Sequence, residues 1–211
     1  MLRRGGLGDT LLTAPLLRAL RRLYPDADLH LAGVREHVDV LCGYGIVDVA
    51  HSSEAFALWS PDEARRRFGG YELVLGDEAG LVDCAFDPRA WVTGVPFALQ
   101  LARQVGLEPQ WPGDMQLLPP RASGDGPIAL APGSGGAGKC WPRERWLQLA
   151  ATLCARGDEL RVVVGPVEME RDDPRRWPWP AGVQFVTEPT PPQLARQLVD
   201  VARFVGNDSG D

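Results

Sequence analysis

Three short segments of this chain carry residue types whose spacing suits ligand chemistry. The first is Gly5-Gly6-Leu7-Gly8-Asp9-Thr10, which precedes an amphipathic stretch. Glycines at a strand-to-helix turn let the backbone bend tightly and approach a ligand, and the free N–H groups of the helix start attract anions. Asp9 fits two roles there. It suits a helix N-cap, worth about 1 kcal/mol, and it suits an acid–base carboxylate; residue chemistry by itself favours the cap. As a dinucleotide fingerprint the segment falls short, because Gly6-Leu7-Gly8 supplies G-x-G but Leu11 stands at the third glycine position.

The second segment is Ala131-Pro132-Gly133-Ser134-Gly135-Gly136-Ala137-Gly138-Lys139-Cys140-Trp141-Pro142. A glycine loop, the Ser134 hydroxyl, the Lys139 ammonium and a following helix start together make a diphosphate cradle. The alternative is a solvated lysine beside a flexible loop. Lys139 is the single lysine among 22 basic residues, which favours the cradle. The string also matches G-x-x-x-x-G-K, with Cys140 where a P-loop has the Ser or Thr that holds Mg²⁺. Pro142 falls where a P-loop helix would continue from its lysine, and no second metal-binding strand is evident downstream.

The third segment, Asn207-Asp208-Ser209-Gly210, leaves the apolar run Phe204-Val205-Gly206. Small polar residues at the C-terminal end of a strand are where open α/β sheets bind ligands. Asp208 suits a sugar hydroxyl, and the N–H groups of Ser209 and Gly210 suit phosphate. An Asx turn leaving a strand is the plainer reading.

These segments need a frame, and the hydrophobic pattern supplies one. Residues 10–23 read as an amphipathic helix, with Arg18, Arg21 and Arg22 opposite the leucines. A strand is expected over 29–34, a helix over 35–42, a strand over 46–50, a helix near 61–68, a strand over 71–75 and a helix near 95–106. Prolines and glycines crowd residues 108–127, which read as linker. Beyond them the pattern predicts strand 128–131, helix 143–156, strand 160–164, a loop rich in charge and proline, strand 183–186, helix 191–202 and strand 203–206. Alternating strands and helices argue for an α/β chain with parallel sheets, divided into domains 1–122 and 127–211. No close internal repeat is visible.

Composition narrows the function classes. The formal charge is −6, and the longest basic run is Arg65-Arg66-Arg67, which argues against nucleic acid as partner. No apolar run reaches a membrane span and no signal peptide opens the chain. The four cysteines fall at no metal or redox spacing and read as reduced thiols of a cytoplasmic protein. His30, His37 and His51 look scattered and unpaired, which makes a zinc site or a histidine-based triad improbable.

Taken in order, three motifs share a pattern with one enzyme family. They are Leu7-Gly8-Asp9-Thr10-Leu11-Leu12-Thr13-Ala14-Pro15, then Pro132-Gly133-Ser134 with Lys139-Cys140-Trp141-Pro142-Arg143-Glu144-Arg145-Trp146, then Phe204-Val205-Gly206-Asn207-Asp208-Ser209-Gly210. Together they resemble the ADP-heptose–lipopolysaccharide heptosyltransferases of glycosyltransferase family 9. The resemblance implies a GT-B fold: two Rossmann-like domains, acceptor in the first and nucleotide-sugar donor in the second. It implies an inverting transfer of a heptose or similar sugar from a nucleotide diphosphate, ADP-heptose first among candidates, onto a lipopolysaccharide-core or other glycan acceptor. No metal or other cofactor is implied. Asp9 becomes the general base; Ser134, Gly135 and Lys139 the phosphate contacts; Glu168, with Glu170 as substitute, the nucleoside contact; Asp208, Ser209 and Gly210 the donor sugar–phosphate contacts. A cytoplasmic enzyme working at the cytoplasmic face of the inner membrane on a lipid-linked acceptor would follow. The family continues past Ser-Gly into a helix carrying a histidine, whereas this chain stops at Asp211. The second domain is therefore expected to be incomplete, with further residues after Gly210. A non-catalytic nucleotide-sugar-binding relative and a P-loop nucleotidase are the rival readings.

Overall fold

The computed structural model describes residues 1–3, 5–54, 59–77, 81–90, 92–116, 124–134 and 136–207. The chain divides into two compact units, Met1–Pro119 and Pro120–Asp211.

In the N-terminal unit the helices are α1 (Leu7–Leu11), α2 (Ala14–Leu23), α3 (Arg35–Gly43), α4 (Pro61–Phe68) and α5 (Phe97–Gln104). The strands are β1 (His30–Gly33), β2 (Val49–Ser52), β3 (Leu75–Gly76) and β4 (Cys84–Ala85). β1 pairs with β2 and β3 with β4, both parallel. Leu2 bridges Ala32 on one side and Gly76 on the other, also parallel. The extended residues at Leu2 thus form the middle of an order β2, β1, Leu2, β3, β4. One face of this sheet is covered by a core in which Leu16, Leu17 and Leu20 of α2 meet Leu31, Leu41, Phe86 and Leu101.

The expected helix 10–23 is two helices. Pro15 has no N–H to offer the Leu11 carbonyl. The chain tightens instead to a Thr13 N–H bond to the Thr10 carbonyl at 3.1 Å, and α2 starts afresh at Ala14. Strand 46–50 begins late for a different reason. Gly45, at φ +66°, closes α3: its N–H reaches the Cys42 carbonyl and the Ile46 N–H the Leu41 carbonyl, both at 3.0 Å. That is a Schellman cap, which uses up the backbone of Ile46 and leaves its side chain in the core. The first part of the expected linker is also no linker. A 3₁₀ turn at Gly113–Met115 docks on α2, with both nitrogens of Arg22 bonded to both oxygens of Asp114 at 2.7 Å.

In the C-terminal unit β5 (Ile128–Ala131), β6 (Leu160–Val164), β7 (Gln184–Thr187) and β8 (Arg203–Gly206) form one parallel sheet in the order β7-β6-β5-β8. α6 (Arg143–Ala155) lays Trp146, Ala150 and Leu153, spaced four and three apart, on Ile128, Leu130, Val162 and Val164. Where a loop was expected, α7 (Pro166–Asp172) forms behind Gly165, with Pro166 at the first helical position that tolerates it. α8 spans Pro191–Leu198 and stops short of 202, because Ala202 donates its N–H to the Pro127 carbonyl as the chain turns into β8.

Each unit therefore places its first strand centrally, lays the next two strands on one side and returns to the other. In such sheets the crevice at the strands' C-terminal ends, where the winding reverses, is the ligand position. That crevice lies beyond Arg3 and Gly76 in one unit, and beyond Ala131 and Gly206 in the other.

Candidate functional site

The Gly5–Thr10 turn occupies the crevice of the N-terminal unit. Gly6, not Asp9, is the N-cap of α1, and Asp9 stands at the third helical position. Its Oδ2 accepts the Gly6 N–H at 3.0 Å, so Asp9 reaches back to the cap rather than forward from it. Gly5 has φ +142°, and a side chain there would meet the Asp9 Oδ2 at 2.7 Å, so the carboxylate uses the space a glycine leaves. The other oxygen, Oδ1, is 3.0 Å from Arg3 Nη2. Arg3 Nη1 bonds Asp77 at 2.5 Å; the Arg3 and Asp77 side chains are 5% and 10% exposed, against 45% for Asp9. A buried guanidinium thus ties the turn to the residue after β3, across the reversal point, and leaves the Asp9 carboxylate open to solvent. Among the described residues, Arg3 Nε and Asp77 Oδ1 are buried without a hydrogen-bond partner.

The glycine loop after β5 occupies the crevice of the C-terminal unit. Ser134 is buried, and among the described residues its Oγ has no hydrogen-bond partner. A buried hydroxyl left unbonded costs about 1–3 kcal/mol, so native proteins rarely leave one without a reason. Lys139 ends a 3₁₀ turn, Ala137–Lys139, and is exposed. Glu168, at the start of α7, is half-buried. Its carboxyl group occupies the place a side chain at Gly133 would take, and a side chain at Gly165 would meet its Oε2 at 2.6 Å. Glu170 is exposed on the same helix. Ser134, Lys139 and Glu168 therefore belong to one end of one sheet, whereas Asp9 belongs to the other unit. Gly135, Asp208, Ser209 and Gly210 lie outside the described residues.

The P-loop reading requires a helix running on from Lys139. α6 begins instead at Arg143, behind Pro142. The geometry is that of a glycine loop with its lysine ahead of the helix.

Sequence reasoning passed over two polar residues and gave a third, Asn207 of the C-terminal motif, no role of its own. Arg3 and Asp77 are tied to Asp9, and Asn207 sits at the end of β8. The Asn207 Nδ2 donates to the Pro132 carbonyl at 2.7 Å and the Gly133 carbonyl at 3.2 Å, while its Oδ1 accepts the Trp141 N–H at 2.9 Å. A charged residue directly after the apolar pair Met1-Leu2 and ahead of the glycine turn was the available signal for Arg3. For Asn207 and Asp77 it was a position just past a strand end.

The histidines need a correction. His30 and His51 are stacked, with His30 Nδ1 2.9 Å from His51 Nε2 and 3.0 Å from the Tyr71 hydroxyl. β1 and β2 place His51 opposite Ala32, on the face that also carries His30, a pairing invisible in the sequence. The group lines a cavity of about 160 Å³ with Trp59, Arg67 and Phe68. Burial, and then the neighbouring His30, hold the His51 pKa below the usual histidine value. Among the described residues no group of three His, Cys, Asp or Glu side chains could hold a metal ion, and no helix is long and apolar enough to cross a membrane.

No protein-family model matches this sequence, and no curated protein sequence matches it. Solved structures do. The Veillonella parvula glycosyl transferase family 9 structure aligns with TM-score 0.71 and 15% identity, over 99% of this chain and 74% of that one. Escherichia coli heptosyltransferase WaaC with ADP-2-deoxy-2-fluoro heptose aligns with TM-score 0.69 and 16% identity, over 99% and 83%. Escherichia coli ADP-heptose lipopolysaccharide heptosyltransferase II aligns with TM-score 0.63 and 18% identity, over 99% and 78%. At such identities the likeness is one of fold: the chain has the α/β fold with parallel sheets that these glycosyltransferases have.

Proposed function

We propose that this chain is a glycosyltransferase that takes a sugar from a nucleoside diphosphate donor. The donor is held on the C-terminal unit, with the diphosphate against the Ser134 hydroxyl, the loop N–H groups and the Lys139 ammonium, and the nucleoside toward Glu168. Asp208, Ser209 and Gly210 complete the donor contacts in this reading. Asp9, on the N-terminal unit, accepts the proton of the acceptor hydroxyl. The hydroxyl oxygen bonds to the anomeric carbon as the carbon–oxygen bond to the diphosphate breaks, and the nucleoside diphosphate leaves with its negative charge neutralised by Lys139. The acceptor is a glycan hydroxyl, and the donor class is an ADP-linked heptose or similar sugar, by analogy with the fold's ADP-heptose enzymes.

The observation that carries this reading is the buried Ser134 hydroxyl, without a partner among the described residues, in a glycine loop at the reversal point of a parallel sheet. A diphosphate oxygen is a partner of the right chemistry for it, and Lys139 supplies the opposite charge on the same loop. Calorimetry with ADP and adenosine tests the assignment. ADP is expected to bind the wild type more tightly than adenosine. Lys139→Ala is expected to weaken ADP binding by about 1.5–3 kcal/mol, roughly ten- to a hundredfold, and adenosine binding hardly at all. Equal affinities for the two ligands, or equal losses, would overturn it.

A further inference from the structure

We infer that Asn207 is a positioning residue for the diphosphate loop. Its one carboxamide holds both ends of that loop. Nδ2 donates to the carbonyls of Pro132 and Gly133, where the loop leaves β5, and Oδ1 accepts the N–H of Trp141, where the loop meets α6. The residues that flank the bonds are the ones the binding reading needs. Ser134 follows Gly133 directly, and Lys139 stands two residues before Trp141.

The amide orientation is fixed by its partners. Two carbonyls demand a donor and one N–H demands an acceptor, and only one placement of the Asn207 nitrogen and oxygen satisfies all three. No other short side chain offers two donors and an acceptor in one plane. Asp would keep the Trp141 bond but would set a carboxylate against two carbonyl oxygens. Ala would release the loop from both ends.

The physical consequence is a smaller entropic cost of binding. A glycine-rich loop free at one end samples many conformations, and a ligand must select the one that presents its hydroxyl and ammonium together. Closing the loop on Asn207 removes most of that freedom before the ligand arrives. The bonds cross the reversal point from β8 to the loop after β5, so the sheet itself sets the loop's position.

This inference rests on the proposed diphosphate site, and its test separates the two. ADP and adenosine are titrated into the wild type, Asn207→Ala, Asn207→Asp, Lys139→Ala and the Asn207→Ala/Lys139→Ala pair, with circular dichroism confirming that each variant is folded. Asn207→Ala is expected to weaken ADP binding about tenfold, consistent with the loss of about three modest hydrogen bonds partly made good by water. Adenosine affinity should stay within about twofold of wild type. Asn207→Asp should lose at least as much, since it adds a negative charge beside the phosphates. The double variant should be weakened by less than the product of the single losses, because a released loop no longer presents Lys139 well. Should Asn207→Ala not fold, Asn207→Ser takes its place. A wild type that does not prefer ADP overturns the functional reading, and this inference with it. A wild type that prefers ADP while Asn207→Ala binds it equally, or independent losses from Asn207 and Lys139, overturns this inference alone.

Discussion

The two units use one topology and fasten their crevices by opposite chemistry. In the N-terminal unit an ion pair does it: the buried Arg3 guanidinium ties Asp9 to Asp77. In the C-terminal unit a neutral amide does it, with Asn207 gathering two carbonyls and an N–H. The difference follows from what each crevice presents. The first presents a carboxylate that the Arg3 guanidinium holds through Oδ1 and the Gly6 N–H through Oδ2, with the side chain 45% exposed. The second carries the buried Ser134 hydroxyl, the exposed Lys139 and the half-buried Glu168, and the amide that fastens it adds no charge of its own to a crevice proposed to take an anion. Equivalent strand orders thus carry different fastenings, and no close sequence repeat reveals the equivalence.

The sharpest test of this contrast is Asp9→Asn. If the first crevice works as a base, turnover should fall roughly 10²–10⁴-fold with donor affinity unchanged. Asn still accepts the Gly6 N–H but gives up the ion pair with Arg3, so a purely structural Asp9 would show as lost stability, with the rate of the folded protein near wild type. Transfer rates and donor titrations on the two proteins decide it.

Next in size is Arg3. Arg3→Leu strands the Asp77 carboxylate in a site where it is 10% exposed, and the expected loss is about 3–5 kcal/mol of stability in urea unfolding. Arg3→Leu/Asp77→Leu should recover most of it, because an apolar pair of similar volume needs no desolvation. Failure to recover would mean that the guanidinium does something the ion pair does not explain.

The smallest expected effect lies away from both crevices, at the Arg22–Asp114 pair that docks residues 113–115 on α2. Burial pushes the Asp114 pKa up, but the Arg22 bonds and the Gln110 N–H outweigh it and leave it below the usual carboxylate value. A depressed carboxylate contributes stability that is present above its unfolded pKa, about 3.9, and is lost as pH falls through the folded value. The melting temperatures of wild type and Asp114→Asn should therefore differ at pH 7 and converge below about pH 4. A gap that persists at low pH would show that the carboxylate's charge is not what docks this turn.

The sequence was legible wherever chemistry is local. Period-3.6 leucines in α2, the valines 162–164 of β6 and the breakers around Pro132–Gly138 each state their own structure, because helix, strand and turn preferences act over a few residues. The glycine loops could be placed at strand ends for the same reason. Three local signals misled. Pro15 divided a helix that its leucines predicted as one, Gly45 drew Ile46 into a cap, and the charge of 166–172 hid the short helix α7 that carries Glu168.

What the sequence alone determined is which residue types stand at each turn: Gly5 and Gly6 before Asp9, Gly133 before Ser134, one lysine in a chain of arginines. What the tertiary structure decided is which distant residues meet them. Asp77 reaches Arg3 across 74 positions and Asn207 reaches Gly133 across the same separation. His30 meets His51 on one face of β1 and β2. The physical reason is that strand order in a parallel sheet is set by burying apolar faces beneath helices, an energy summed over the whole unit. The polar contacts at the strand ends follow from that order, so no window along the chain can contain them.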